Sequence, residues 1–168
     1  MNAGAAAPVL TIGAGFEDAL RALLARYGLE LETVPPGAPI PGSYWGAPEA
    51  GLVAQRVYAR ADTPVHSVLH EACHVLCMDA PRRASLERDA GGDFDEENAV
   101  CCLQILLAAG IPGVGSERLM ADMDAWGYTF RLGSARAFYV EECDQPRAWL
   151  RGHGLIDAAG RPTGEWRH

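Results

Sequence analysis

Thr63–Met78, TPVHSVLHEACHVLCM, is the stretch whose reading decides the rest of the chain. It opens on Thr63 as an N-cap with Pro64 at the first helical position, and apolar residues at helical spacing follow. A helix over Pro64–Met78 is predicted. Within it stands His70-Glu71-Ala72-Cys73-His74, an H-E-x-x-H pentad. Residues four apart share one face of a helix, so His70 and His74 can grip one cation together. Glu71 lies beside them, placed to take a proton from a water that the cation activates. The chemistry this pattern implies is zinc-dependent hydrolysis with one Zn2+ per chain. The competing reading makes the pair core or surface histidines and Glu71 a solvated helix residue.

Composition narrows the field around that helix. At 168 residues, 49% hydrophobic and 21% charged, the chain has the make-up of one globular domain. A net charge of −8 argues against a nucleic-acid partner, because such surfaces neutralise phosphates with Lys and Arg. All 14 basic residues are Arg, which removes Schiff-base, Ser-Lys and P-loop chemistry. No targeting or membrane segment is read, and the longest apolar run, Ala99–Ile111, is interrupted by Gln104 and Gly110. The expectation is a cytoplasmic protein without membrane partners. Cys73, Cys77, Cys101 and Cys102 fall in apolar helical patterns, as reduced, buried thiols would.

Outward from the motif, the order of elements reads as α+β. Residues 1–14 form a loose leader. Phe16–Tyr27 is an amphipathic helix closed by Gly28, and Leu29–Val34 alternates as a strand. Pro35–Gly51 is a Pro/Gly-rich loop in which Tyr44 and Trp45 either plug the core or serve a function. Leu52–Ala59 reads as a second strand near a sheet edge, able to align an extended substrate. After the motif helix, residues 82–92 make a polar connection with room for a helical turn. A strongly apolar helix runs from Asp93 to Ala109, and weaker helical patterns cover Glu117–Trp126, Ser134–Glu142 and Pro146–Gly152.

A catalytic zinc takes three protein ligands and leaves a fourth position open. No third histidine follows His74 at a useful spacing, so the candidates are Asp93, Asp95, Glu96 and Glu97 at the head of the next helix. Here the chain resembles the gluzincins of the zincin superfamily of metallopeptidases, in which a Glu on a later helix, often in E-x-x-A, is the third ligand. Glu96-Glu97-Asn98-Ala99 has that form, and the resemblance implies Glu96 in the role. The order of elements over residues 16–109 is similar to that of compact minimal zincins, including the ImmA/IrrE-like regulatory peptidases. It implies a small zincin-like sheet with the motif helix packed across it and additional C-terminal helices. Glu96 shares a stripe with Val100, Leu103 and Leu107; Glu97 is the alternate, aligned with Cys101, Gln104 and Ala108. Asp93-x-x-Glu96 also has capping-box spacing, which would spend Glu96 on the helix end. Val100 stands where some gluzincins carry an Asp or Asn that orients a ligand histidine, leaving that task to Asn98, Asp93 or Asp89.

Further candidates are weaker. His66 precedes His70 by one turn, as a proton donor, an alternate ligand, or a polar residue on the same exposed face. Arg136, Tyr139 and His153, with Tyr128 and Arg131, are the downstream candidates for transition-state or substrate contacts. Trp126, Tyr128, Phe130 and Trp149 read as aromatic core or cleft walls. The expected activity is hydrolysis of a peptide or amide bond in a peptide or protein substrate, with Glu71 as general base. The alternative is a regulatory or binding module with a structural, non-catalytic zinc, which a closed fourth ligand would favour.

Overall fold

The structure is a computed structural model that describes residues 8–86 and 91–168. Among them are seven helices and one three-stranded mixed sheet, an α+β architecture. Helix α1 (Glu17–Arg26) buries Leu20 and Leu24 and leads into strand β1 (Glu30–Val34). Strands β2 (Gly51–Val53) and β3 (Arg56–Arg60) are antiparallel, while β1 pairs parallel to β3, giving the order β1-β3-β2.

Two sequence readings change here. The stretch expected as one edge strand is a hairpin, folded at Ala54, which takes φ 53° in the left-handed region that Gly or Asn usually supplies. Its longer arm, β3, is the middle of the sheet. The outer side of β2 is also taken: Leu52 N donates to Gly42 O, and a Cβ at Gly51 would overlap the carbonyl oxygen of Pro41. The chain's own loop occupies the place proposed for a substrate strand.

Helix α2 (Val65–Cys77) crosses the sheet and carries the motif. Thr63 is not its cap: the Thr63 hydroxyl accepts from Arg60 N at 2.8 Å, tying the end of β3 to the helix start. A short helix, α3 (Ala80–Ala84), follows at once, its N-cap Asp79 accepting from Arg82 N. It begins two residues ahead of the connection where a helical turn was expected and runs into it; residues 87–90 of that connection, including Asp89, lie outside the described residues, as do residues 1–7 of the expected leader. Helix α4 (Phe94–Ala108) begins at Asp93, whose carboxylate accepts from Glu96 N at 2.8 Å. It is buried on nearly all sides, as a helix surrounded by others must be. Helices α5 (Gly115–Trp126), α6 (Ala135–Glu141) and α7 (Asp144–Gly152) complete the chain, α5 and α7 packing directly on α4.

All five cysteines are free and buried, as expected of thiols serving as small hydrophobes. No helix of the described residues is long and apolar enough to cross a membrane. The residues after α7 return to α2. Arg167 N donates to Leu76 O at 2.8 Å, and the Arg83 guanidinium donates to Val75 O and Met78 O while lying 4.4 Å from the Trp166 ring centroid. These arginines satisfy carbonyls that the end of a helix leaves unpaired.

Leu69 is fully buried at the middle of α2, so Leu69→Ala is expected to destabilise the fold by about 2–5 kcal/mol. Urea unfolding checks this; a loss below about 1 kcal/mol would mean that α2 is not packed as described.

Candidate metal centre

Ten of the thirteen residues of α2 are buried, and the three that are not are His70, Glu71 and His74. The helix therefore shows solvent only the residues of the motif that carry polar chemistry. His70 Nε2 and His74 Nε2 face each other at 3.1 Å. Glu97 on α4 sets one carboxylate oxygen 3.4 Å from His70 Nε2 and the other 3.4 Å from His74 Nε2. A tetrahedral zinc with bonds of about 2.0–2.1 Å requires ligand atoms about 3.3 Å apart. Two imidazole nitrogens and a carboxylate at this spacing fit such an ion, and among the described residues they are the group able to hold one.

The structure brings Glu97, not Glu96, to the histidines. Successive residues on a helix diverge by about 100°, so only one of the two can face α2. Glu96 is turned the other way and buried, its carboxylate accepting both Arg82 bonds at 2.9 and 3.1 Å, with Arg167 at 3.9 Å. Burial raises its pKa more than Arg82 lowers it. The E-x-x-A form matched on composition, while the facing geometry belongs to the neighbouring stripe. Glu96 does not close a capping box either; only the Asp93 half of that exchange is made.

The stripe of Glu97 also contains Gln104, which sequence reasoning missed as a functional residue. Gln104 Nε2 donates to the carbonyl of His66 at 2.8 Å. A carbonyl only accepts, so this bond fixes which end of the amide is NH2. The oxygen then points to His70 Nδ1 at 3.1 Å, and His70 must donate there. The Nε2 lone pair is left facing His74 and Glu97, the tautomer a metal ligand needs. The orienting task assigned to Asn98, Asp93 or Asp89 thus falls to a fully buried glutamine. The available signal was a lone amide in the apolar run Ala99–Ile111, two turns after Glu97.

The cluster is electrostatically built for positive charge. Burial presses His70 toward its neutral form, but the hydrogen bond and charge of Glu97, with the charge of Glu71, outweigh it and raise its pKa. Glu97 is lowered, chiefly by its bond to His70. Burial lifts Glu71 to about 7, with His70 opposing and Glu49 and Glu97 adding to the rise. His66 behaves otherwise. It is buried, not on an exposed face, and burial lowers it to about 3, so it stays neutral. Its Nδ1 lies 3.2 Å from the Tyr128 hydroxyl, its ring packs against Trp126 and Tyr128, and its Nε2 is buried without a hydrogen-bond partner. His66 is not part of the ligand cluster.

The cluster opens onto a cavity of about 720 Å3. Its far wall is built by Gly127, whose φ of 110° ends α5 and turns residues 128–130 back toward α2. The Tyr128 ring stands edge-on to His70, and burial keeps its hydroxyl protonated. Tyr44 and Trp45 do not plug the core; they are 76% and 80% exposed and line the cavity. Three downstream candidates lie elsewhere. Arg136 pairs with Glu117, Tyr139 lies under the Arg147 guanidinium, and His153 packs at a tilt against Trp149 and accepts from Arg167. Arg131 pairs with Glu142 beside an adjoining cavity.

Compared with family models, with curated proteins and with solved structures, the chain matches none.

Gln104→Leu is expected to weaken zinc binding about 10- to 100-fold, and Glu97→Ala by more. Glu96→Gln should leave zinc affinity near wild type while lowering stability by about 1–3 kcal/mol. Competition with a chromophoric chelator, alongside urea unfolding, separates the two glutamates. Strong zinc loss from Glu96→Gln, with Glu97→Ala silent, would reverse the assignment.

Proposed function

We propose that the protein is a metal-dependent hydrolase of peptide or amide bonds, in the manner of a compact zincin. The observation that carries this reading is the triangle of His70, His74 and Glu97 at zinc-ligand spacing, opening on a cavity that Glu71 also lines. His70, His74 and Glu97 would hold the ion, whose contribution is to polarise a carbonyl and to make water a better acid.

The chain's own residues supply the remainder. Gln104 keeps the His70 lone pair directed into the cluster. Glu71, next to His70 and facing the cavity, takes the proton of the attacking water and delivers it to the leaving nitrogen. The structural-zinc alternative calls for a fourth protein ligand. His70, His74 and Glu97 all line the cavity, where a substrate could reach the ion, which favours the enzyme.

Glu71→Gln keeps the size and hydrogen-bonding reach of the side chain but removes the base. It is expected to retain zinc and to lose amide hydrolysis by about 10²–10⁴-fold. Elemental analysis with turnover of a mixed fluorogenic peptide library checks both halves. Hydrolysis that survives Glu71→Gln at the wild-type rate would dismiss the mechanism.

A further inference from the structure

The cavity in front of the histidines has a chemical character that hydrolysis alone does not require. Glu49, on the loop between β1 and β2, lines it, and Trp126 Nε1 donates to Glu49 Oε1 at 2.8 Å. That bond anchors the carboxylate to the cavity wall without neutralising it. Among the described residues no arginine lines this cavity and Glu49 has no cationic partner, in a chain that carries no lysine. At the rim stand Tyr44, Trp45 and Phe94, all more than 75% exposed. Exposed aromatic faces beside a carboxylate held by a neutral donor are what a cation on an apolar stem would find complementary.

The cavity does not end there. A second one, of about 700 Å3, shares Phe94, Asn98, Thr129 and Phe130 with it. Its Arg131 is paired with Glu142, and Asp95 adds a further negative charge. Two adjoining chambers suit an extended chain better than a compact small molecule. Their shared acidity disfavours phosphates, acidic peptides and a free C-terminal carboxylate held near the cluster.

We propose that the groove takes a polypeptide segment with an arginine or lysine beside the bond to be cleaved. Glu49, held by Trp126, meets the cation, and Tyr44 and Trp45 cover its stem. The inference rests on the hydrolase reading for the place of the cleaved bond, and names the substrate class of that site.

The test uses binding to the full-length, zinc-loaded Glu71→Gln protein. Two blocked, alanine-rich octapeptides differ only at one central residue, arginine in one and citrulline, its neutral isostere, in the other. Calorimetric titration is expected to show the arginine peptide about tenfold tighter, the scale of one hydrogen-bonded charge. The preference should collapse when Glu49→Gln is added and survive with Glu49→Asp, which keeps the charge and guards against a folding defect. Equal or tighter binding of the citrulline peptide, or an undiminished preference in Glu49→Gln, overturns the proposal. Because the preference is read from binding, a wild-type protein that cleaves nothing would end the hydrolase reading while the arginine preference still decides this one. Cleavage without any arginine preference would do the reverse.

Discussion

Two imidazole nitrogens 3.1 Å apart, each also facing a carboxylate oxygen, cannot all keep their lone pairs uncompensated. Something positive has to sit among them, a proton or a metal ion, and the fold is arranged to hold that place rather than to relieve it. The raised His70 and lowered Glu97 are the signature of a site that attracts charge even when only protons are available. Two helices must approach closely and in register to sustain this.

The amide of Gln104 is what converts proximity into direction. It sits inside an otherwise apolar helix, where an unpaired polar group is costly, and it is satisfied by His66, His70 and the nearby Tyr128 hydroxyl. The same side chain therefore sets the His70 tautomer and ties the backbone of α2 to α4. Tyr128 closes the arrangement from the far wall through His66. The polar interior is small, connected, and concentrated on one side of the motif helix.

Much of this was legible in the sequence, and the rest failed for identifiable reasons. The motif helix, the apolar helix after it and the α+β order followed from periodicity, with the Asp93 start made and the Thr63 cap not, and the boundaries of the two helices differ by one residue at each end. The hairpin was hidden because Ala54-Gln55 carries no turn residue; tertiary packing holds Ala54 in a conformation its side chain disfavours. Glu96 and Glu97 were separable only by knowing which stripe of α4 meets α2, a question of packing angle that spacing along one helix does not answer. Gln104 belonged to the right stripe, but its value depends on a carbonyl and a ring nitrogen contributed by another helix. Tyr44 and Trp45 could be placed in a loop but not aimed.

The arginines at the end of α2 give the chain one more property. His74 lies in the last turn of the helix, and the carbonyls of Val75, Leu76, Cys77 and Met78 are held by Arg83 and by Arg167. The position of a ligand is thus set partly by residues some ninety positions further along the chain. Coupling free energy is reciprocal. If anchoring of residues 166–168 favours the geometry that grips an ion, then an ion gripped at His74 tightens the anchoring of those residues by the same amount. Metal occupancy and the order of residues 166–168 are in that sense one thermodynamic quantity, read at two places.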